Sequence, residues 1–313
     1  MKRSRFIDEQ ILETLREVEG GRKISEACRL RVSRTSWRVA NVRMEGREGV
    51  GTKCASLIVV LNLWVVAAHA QAPKPPQLAN AQTVLGTTYC VDQDFLPTLS
   101  SKIAEIRGIV RAARGQGQIT GYISVPLSAT GGGATDINQA VSAHVKQRLE
   151  ALYGGKVWML APGSQEASIP QVNGKSAGGQ EYMYMWTQVL AGENGRGPDF
   201  DLFYFVGPTD FWDYLAIKPE NGIAMLESLA DQRGLTGDKK RNFVTYYAFR
   251  ASASASRGAH DEWNILRLLN DARRSDPNFG IGVQIASLFD GRPVELDDTE
   301  SVVSSGYEGR CNP

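Results

Sequence analysis

The stretch QITGYISVPLSATGGGATDINQAVSAHVKQRL, residues Gln118–Leu149, decides how this chain is read. Its first part, QITGYISVPLS, is a short run with strand composition that closes at Pro126. SATGGGATD is turn chemistry, and Thr135 or Asp136 then caps a helix in which Ile137, Val141, Val145, Leu149 and Leu152 recur at three-to-four spacing. Strand, glycine-rich loop and amphipathic helix therefore follow one another directly. The same alternation continues outward. Upstream, LSSKIAEIRGIVRAARG (Leu99–Gly115) has helical spacing at Ile103, Ile106, Ile109 and Val110. Downstream come the strand KVWMLAP, the helix QEYMYMWTQVLAGE and the strand DFDLFYFVGP. Alternation at this pitch predicts an α/β body over residues 71–313, built as a three-layer parallel sheet. Beyond Pro208, ENGIAMLESLADQRG and SRGAHDEWNILRLLNDARR read as helices. NFVTYYAFRASASAS is open between helix and strand, GIGVQIASLFDGRPVEL between a last strand and a further helix, and the tail to Cys311 reads as irregular.

Before this body the composition changes. Up to Lys53 there are thirteen Lys and Arg against eight Asp and Glu, whereas the remainder carries twenty-two against twenty-six. The near-neutral total thus hides a basic and an acidic segment. Between them lies CASLIVVLNLWVVAAHAQAPKPP (Cys54–Pro76), uncharged from Ala55 to Ala68 and flanked by Arg47 and Lys53. It is shorter than the ~20 apolar residues that span a bilayer. Ala68-His69-Ala70 offers a small-x-small cleavage site, and Pro73–Pro76 prevents a helix from continuing. This pattern predicts a signal peptide over 47–70, crossing the membrane only transiently, with a periplasmic or secreted product. An uncleaved anchor and a buried core helix are the other two readings. If the internal signal is unused, the chain stays cytoplasmic.

The basic segment has helical spacing at Ile7, Ile11, Leu12, Leu15 and Val18, ended by Gly20-Gly21. A second short helix and a third beginning near Ser33 would follow, the last carrying Arg34, Arg38 and Arg43. MKRSRFIDEQILETLREVEGG, then ISEACR and VSRTSW, resembles the N-terminal helix-turn-helix of the small subunit of insertion-sequence transposases over residues 1–46. The resemblance implies DNA as a partner through this fragment alone, with those three arginines on phosphates and base edges. A transposase-derived DNA-binding protein is the alternative to an exported body. Residues 71–98 read as a Pro-rich linker and N-terminal extension, and 99–313 as the α/β domain.

Export would remove Cys28 and Cys54 and leave Cys90 and Cys311 near the two ends of the body, where an oxidising compartment would let them pair. Ligands of a parallel sheet gather beyond the carboxyl ends of its strands. Three such ends are visible: Ser128 with Gly131–Gly133, Ala161–Gly163, and Gly207–Asp210. The triple glycine could present bare amides to an anion, yet it lacks both the dinucleotide fingerprint and the Lys-Ser/Thr of a phosphate loop, so no cofactor is expected. Gly174-Lys175-Ser176-Ala177-Gly178 matches a nucleophile elbow by letter only, because no strand precedes it. His260-Asp261-Glu262 is the densest titratable cluster, but no cysteine pair lies near it to complete a zinc site, and no metal is expected.

The order GYISVPLS, Asn138 opening a helix, a strand ending at Pro162, EYMYMW, DLFYFVGP, then Gly258-Ala259 with Glu262, is similar to nucleoside 2-deoxyribosyltransferase-like proteins over Ile119–Ala272. That resemblance implies a small-molecule, nucleoside-like ligand and hydrolysis or transfer of its N-glycosidic bond; a ligand-binding or structural domain that has the sheet without the chemistry is the other reading of the exported body. The resemblance implies Glu262 as nucleophile at the sugar carbon, Asp201 and Asp210 holding base or sugar, and Tyr122 lining the pocket. Ser128, at the first strand end, is a further candidate ligand contact.

Overall fold

The computed structural model describes residues 76–127, 132–164, 167–252, 255–276, 284–294 and 306–312. The helix-turn-helix resemblance with Arg34, Arg38 and Arg43, the export segment up to Ala70, and Ser128 lie outside the described residues.

An antiparallel hairpin of β1 (Leu78–Gln82) and β2 (Thr88–Asp92) occupies a segment read from sequence as linker and extension. LANAQ alternates only weakly, with Ala79 and Ala81 as its half-buried positions. The free edge of β2 is satisfied by side chains: the Cys90 amide donates to Gln180 Oε1 and the Asp92 amide to Glu181 Oε1. Tyr89 and Val91 are buried in the core.

The chain continues through α1 (Leu96–Gly115), β3 (Ile119–Ser124), α2 (Thr135–Leu152), β4 (Val157–Leu160), α3 (Gly179–Ala191) and β5 (Leu202–Phe205). It then forms α4 (Pro208–Tyr214), α5 (Gly222–Gln232), α6 (Gly237–Thr245), α7 (Arg257–Arg274), β6 (Ala286–Phe289) and β7 (Arg292–Pro293). The ambiguous NFVTYYAFR is helical: α6 runs on into a π-helical turn, Tyr246–Arg250, closed by the Ala251 amide on the Tyr246 carbonyl.

The main sheet has the order β4-β3-β5-β6-β7. Its first four strands are parallel, as expected, but β7 is antiparallel to β6, so the sheet is mixed rather than wholly parallel. The cause is the Asp290-Gly291 turn, where both residues take positive φ, 52° and 77°. Asp-Gly in that conformation is a two-residue hairpin turn, and it reverses the chain before it can leave the sheet.

Successive strand residues face opposite sides. Tyr122, Leu160, Phe203 and Phe205 meet α1, α3, α7 and the β1–β2 hairpin, whereas Ile123, Val157, Met159 and Tyr204 meet α2, α4, α5 and α6. Helices therefore cover both faces, and buried strands explain why the sequence shows continuous apolar runs.

Cys90 and Cys311 are joined by a disulfide, 221 residues apart in sequence. A loop of that length carries roughly 5 kcal/mol of closure entropy in the chain-entropy model, and measured losses are usually about 2–5 kcal/mol. Reducing the protein should therefore lower its melting temperature by roughly 5–15 °C, read by thermal denaturation with and without reductant. Coincident melts would show that the bond does not hold the fold.

Candidate functional site

Helix α7 delivers Glu262 to the sheet. Its N-cap is Ser256, whose Oγ accepts from the Ala259 amide, and this fixes the first turn so that Asp261 and Glu262 are both buried. Glu262 faces β3. Tyr122 Oη donates to Glu262 Oε1 at 2.6 Å, and Ser124 Oγ donates to Oε2. The two hydroxyls share a face because they are two residues apart on one strand. Tyr122 is itself held by rings, with centroids at 5.4 Å to Trp186 and 5.4 Å to Phe203.

Burial pushes the Glu262 carboxyl up to about 8, against the opposing pull of the Ser124 and Tyr122 hydroxyls. The acid is therefore mostly neutral at pH 7. In that state it has a proton of its own to donate, and a hydroxyl can turn to accept it. Asp261 points the other way and accepts from the amides of Gly306 (3.1 Å) and Tyr307 (2.7 Å). Burial raises it to about 6, with those amides resisting.

A cavity of about 370 Å³ opens beside Glu262. Val125 and Leu127 after β3, Pro162 and Gly163 after β4, and Gly178 and Gly179 at the start of α3 are among its walls. It thus lies at the carboxyl ends of β3 and β4, in the size range of small-molecule sites. Trp186, Tyr182 and Tyr307 add aromatic surface, and the side chains of Thr135, Gln139 and Ser164 add polar groups.

The structure brings Tyr122 and Glu262 together, with Tyr122 standing behind the carboxyl rather than on the cavity wall. It does not bring Asp201 or Asp210 to them. Asp201 precedes β5 and binds the Thr120 amide (3.1 Å) and the Arg114 guanidinium (2.7 Å), at the amino ends of the strands. Burial would raise its carboxyl, but Arg114 and Thr120 outweigh it and hold it below the usual range. Asp210 is buried on the face of the sheet that carries Tyr204; it accepts from Tyr204 Oη (2.8 Å) and the Gly207 amide (3.0 Å) and pairs with Arg148. Neither residue is on the wall of the Glu262 cavity: Asp201 lies at the amino ends of the strands and Asp210 on the opposite face of the sheet. Sequence reasoning missed Ser124, the Gly178-Gly179 pair, Ser256 and Tyr307. Only Ser124 carried a signal, its two-residue spacing from Tyr122.

The Glu262 shift has a stability consequence. From its ordinary 4.5 up to about 8, the unfolded chain is ionised while the folded one keeps its proton. This contribution is therefore full at low pH, falls as pH rises through that window, and is level above it. Glu262→Gln should flatten the decline and be the more stable form at pH 9 by a few kcal/mol, roughly 2–4. Denaturant unfolding of both proteins from pH 5 to 9 checks this, and parallel curves would contradict it.

No protein-family model, curated protein or solved structure matches the chain, and the geometry of the Glu262 cavity carries the functional conclusion.

Proposed function

We propose that the Glu262 cavity takes a nucleoside-like small molecule and that the protein hydrolyses or transfers its N-glycosidic bond. The observation that carries this reading is one buried carboxyl in the wall of a cavity at the strand ends, oriented by two hydroxyls from the adjacent strand. Once ionised, such a carboxylate can attack the anomeric carbon through an oxocarbenium-like transition state. The carbon–oxygen bond forms as the carbon–nitrogen bond breaks, the departing base takes the electron pair and a proton from solvent, and the water or acceptor hydroxyl that later opens the ester returns that proton to solvent. Water or an acceptor then opens the glycosyl ester and regenerates Glu262. Aromatic walls at Trp186 and Tyr182 suit a planar base. The resemblance over Ile119–Ala272 supports the same chemistry. The export pattern and the Cys90–Cys311 bond together support a periplasmic or secreted setting.

Ligand binding without turnover is the second reading. What favours it is that both Glu262 oxygens are already engaged by hydroxyls and that the acid is neutral at pH 7, as suits a hydrogen-bonding wall.

Release of free base from purine and pyrimidine nucleosides, followed chromatographically, separates the two. Glu262→Ala should lower the rate by roughly 10²–10⁴-fold or more. The rate should rise with pH through the region of about 8, because only the ionised acid attacks. Tyr122→Phe removes a hydrogen bond that lowers the Glu262 pKa, so its rising limb should move to higher pH. Base release that survives Glu262→Ala would exclude this mechanism, and tight binding with no release would leave the second reading.

A further inference from the structure

The C-terminal segment 306–312 is tied across the molecule at both of its ends. At one end the Gly309 amide donates to the Thr88 carbonyl (2.8 Å), the Cys311 amide donates to Asn80 Oδ1 (2.7 Å), and Cys311 is bonded to Cys90. At the other, Asp261 accepts the amides of Gly306 and Tyr307, and Arg257 donates to the Gly306 carbonyl from Nε (3.0 Å) and Nη2 (2.7 Å). The Arg257 guanidinium also lies 4.5 Å from the centre of the Tyr307 ring. Between these ties Tyr307 is pressed against the first turn of α3: a Cβ added at Gly179 would lie 2.4 Å from its Cε1 and Cζ atoms. The ring fits there because Gly179 has no side chain.

Tyr307 is partly buried and packs against the core formed by α3, α7 and the hairpin. The ring also bounds the cavity in which Glu262 lies. Asp261 and Glu262 are consecutive on α7, so one turn fixes the carboxyl inside the cavity and the ring that delimits it.

We propose that Tyr307, held by Asp261, Arg257 and the Cys90–Cys311 bond, is the specificity-determining wall of the Glu262 cavity, limiting the ligand to one that fits beneath its ring. The inference rests on the nucleoside reading of that cavity. It further makes the site complete only while the disulfide is closed.

Calorimetric titration with adenosine and with the bulkier N6-benzyladenosine tests it. The native protein should bind adenosine and exclude the benzyl compound. Tyr307→Ala should weaken adenosine at least about tenfold and admit N6-benzyladenosine. Gly179→Ala leaves Tyr307 in the sequence but displaces its ring, and it should reproduce the pattern; Cys90→Ser/Cys311→Ser should shift in the same direction. Native-like thermal unfolding of Tyr307→Ala shows that the loss is local. If the native protein binds adenosine and Tyr307→Ala keeps both its affinity and its exclusion, the inference fails alone. If the native protein binds neither compound, the nucleoside reading fails and takes the inference with it.

Discussion

The burial of the Glu262 carboxyl against the hydroxyls of Tyr122 and Ser124 is the contact on which the rest of the site depends. It joins the second turn of α7 to strand β3, so a helix far along the chain is placed relative to the sheet by a polar bond inside an apolar layer. Such a bond is stable only when every group in it is satisfied. The aromatic packing around Tyr122 serves that end: Trp186, Phe203 and Phe200 hold the ring and leave its hydroxyl one direction to point. Trp263, the next residue after Glu262, packs on Phe205 at 4.6 Å and anchors the same turn from the strand beside β3. Removing water from the carboxyl and fixing its orientation are thus one operation, and the neutral state near pH 7 is its result.

Topology explains why a cavity forms at this place. The order β4-β3-β5-β6 sends the chain from β3 to one side for β4 and to the other for β5. The loops leaving β3 and β5 therefore diverge, as at the usual ligand position of doubly wound sheets, and the cavity lies on the β4 side of that point, at the carboxyl ends of β3 and β4. Helices α2, α3 and α7 all begin at that cavity, with Thr135, Gly178 and Ser256 on its walls. The β1–β2 hairpin and the C-terminal segment, joined through Cys90 and Cys311, bring Tyr307 to the same opening.

Much of this architecture was legible from sequence, for identifiable reasons. Residues 135–152 and 257–274 form helices because their apolar positions recur at helical spacing, and residues 119–124 and 202–205 form strands because both faces are buried. The hairpin at 78–92 was not legible: its order comes from Gln180, Glu181 and a disulfide, all distant in sequence. The reversal at Asp290-Gly291 did carry a local signal, since Asp-Gly favours that turn, but the flanking segment was open between two assignments. Among the site residues, Glu262 and Tyr122 came from a family resemblance, and the structure places them in contact. Asp201 and Asp210 did not follow, because proximity to a strand in sequence says nothing of the face, and a residue preceding a strand falls at its amino end. Tyr307 had no signal at all, since its position is set by Asp261 and Arg257.

The central claim is that Glu262 is a neutral acid inside the folded protein at pH 7. Isotope-edited infrared spectroscopy of glutamate-labelled protein, differenced against Glu262→Gln, reads it directly through the carbonyl band of the protonated acid. The account predicts a band present at pH 7 and lost with a midpoint near 8. A band already gone at pH 7, with a midpoint near the ordinary 4.5, would show an exposed, ionised carboxylate and contradict the account.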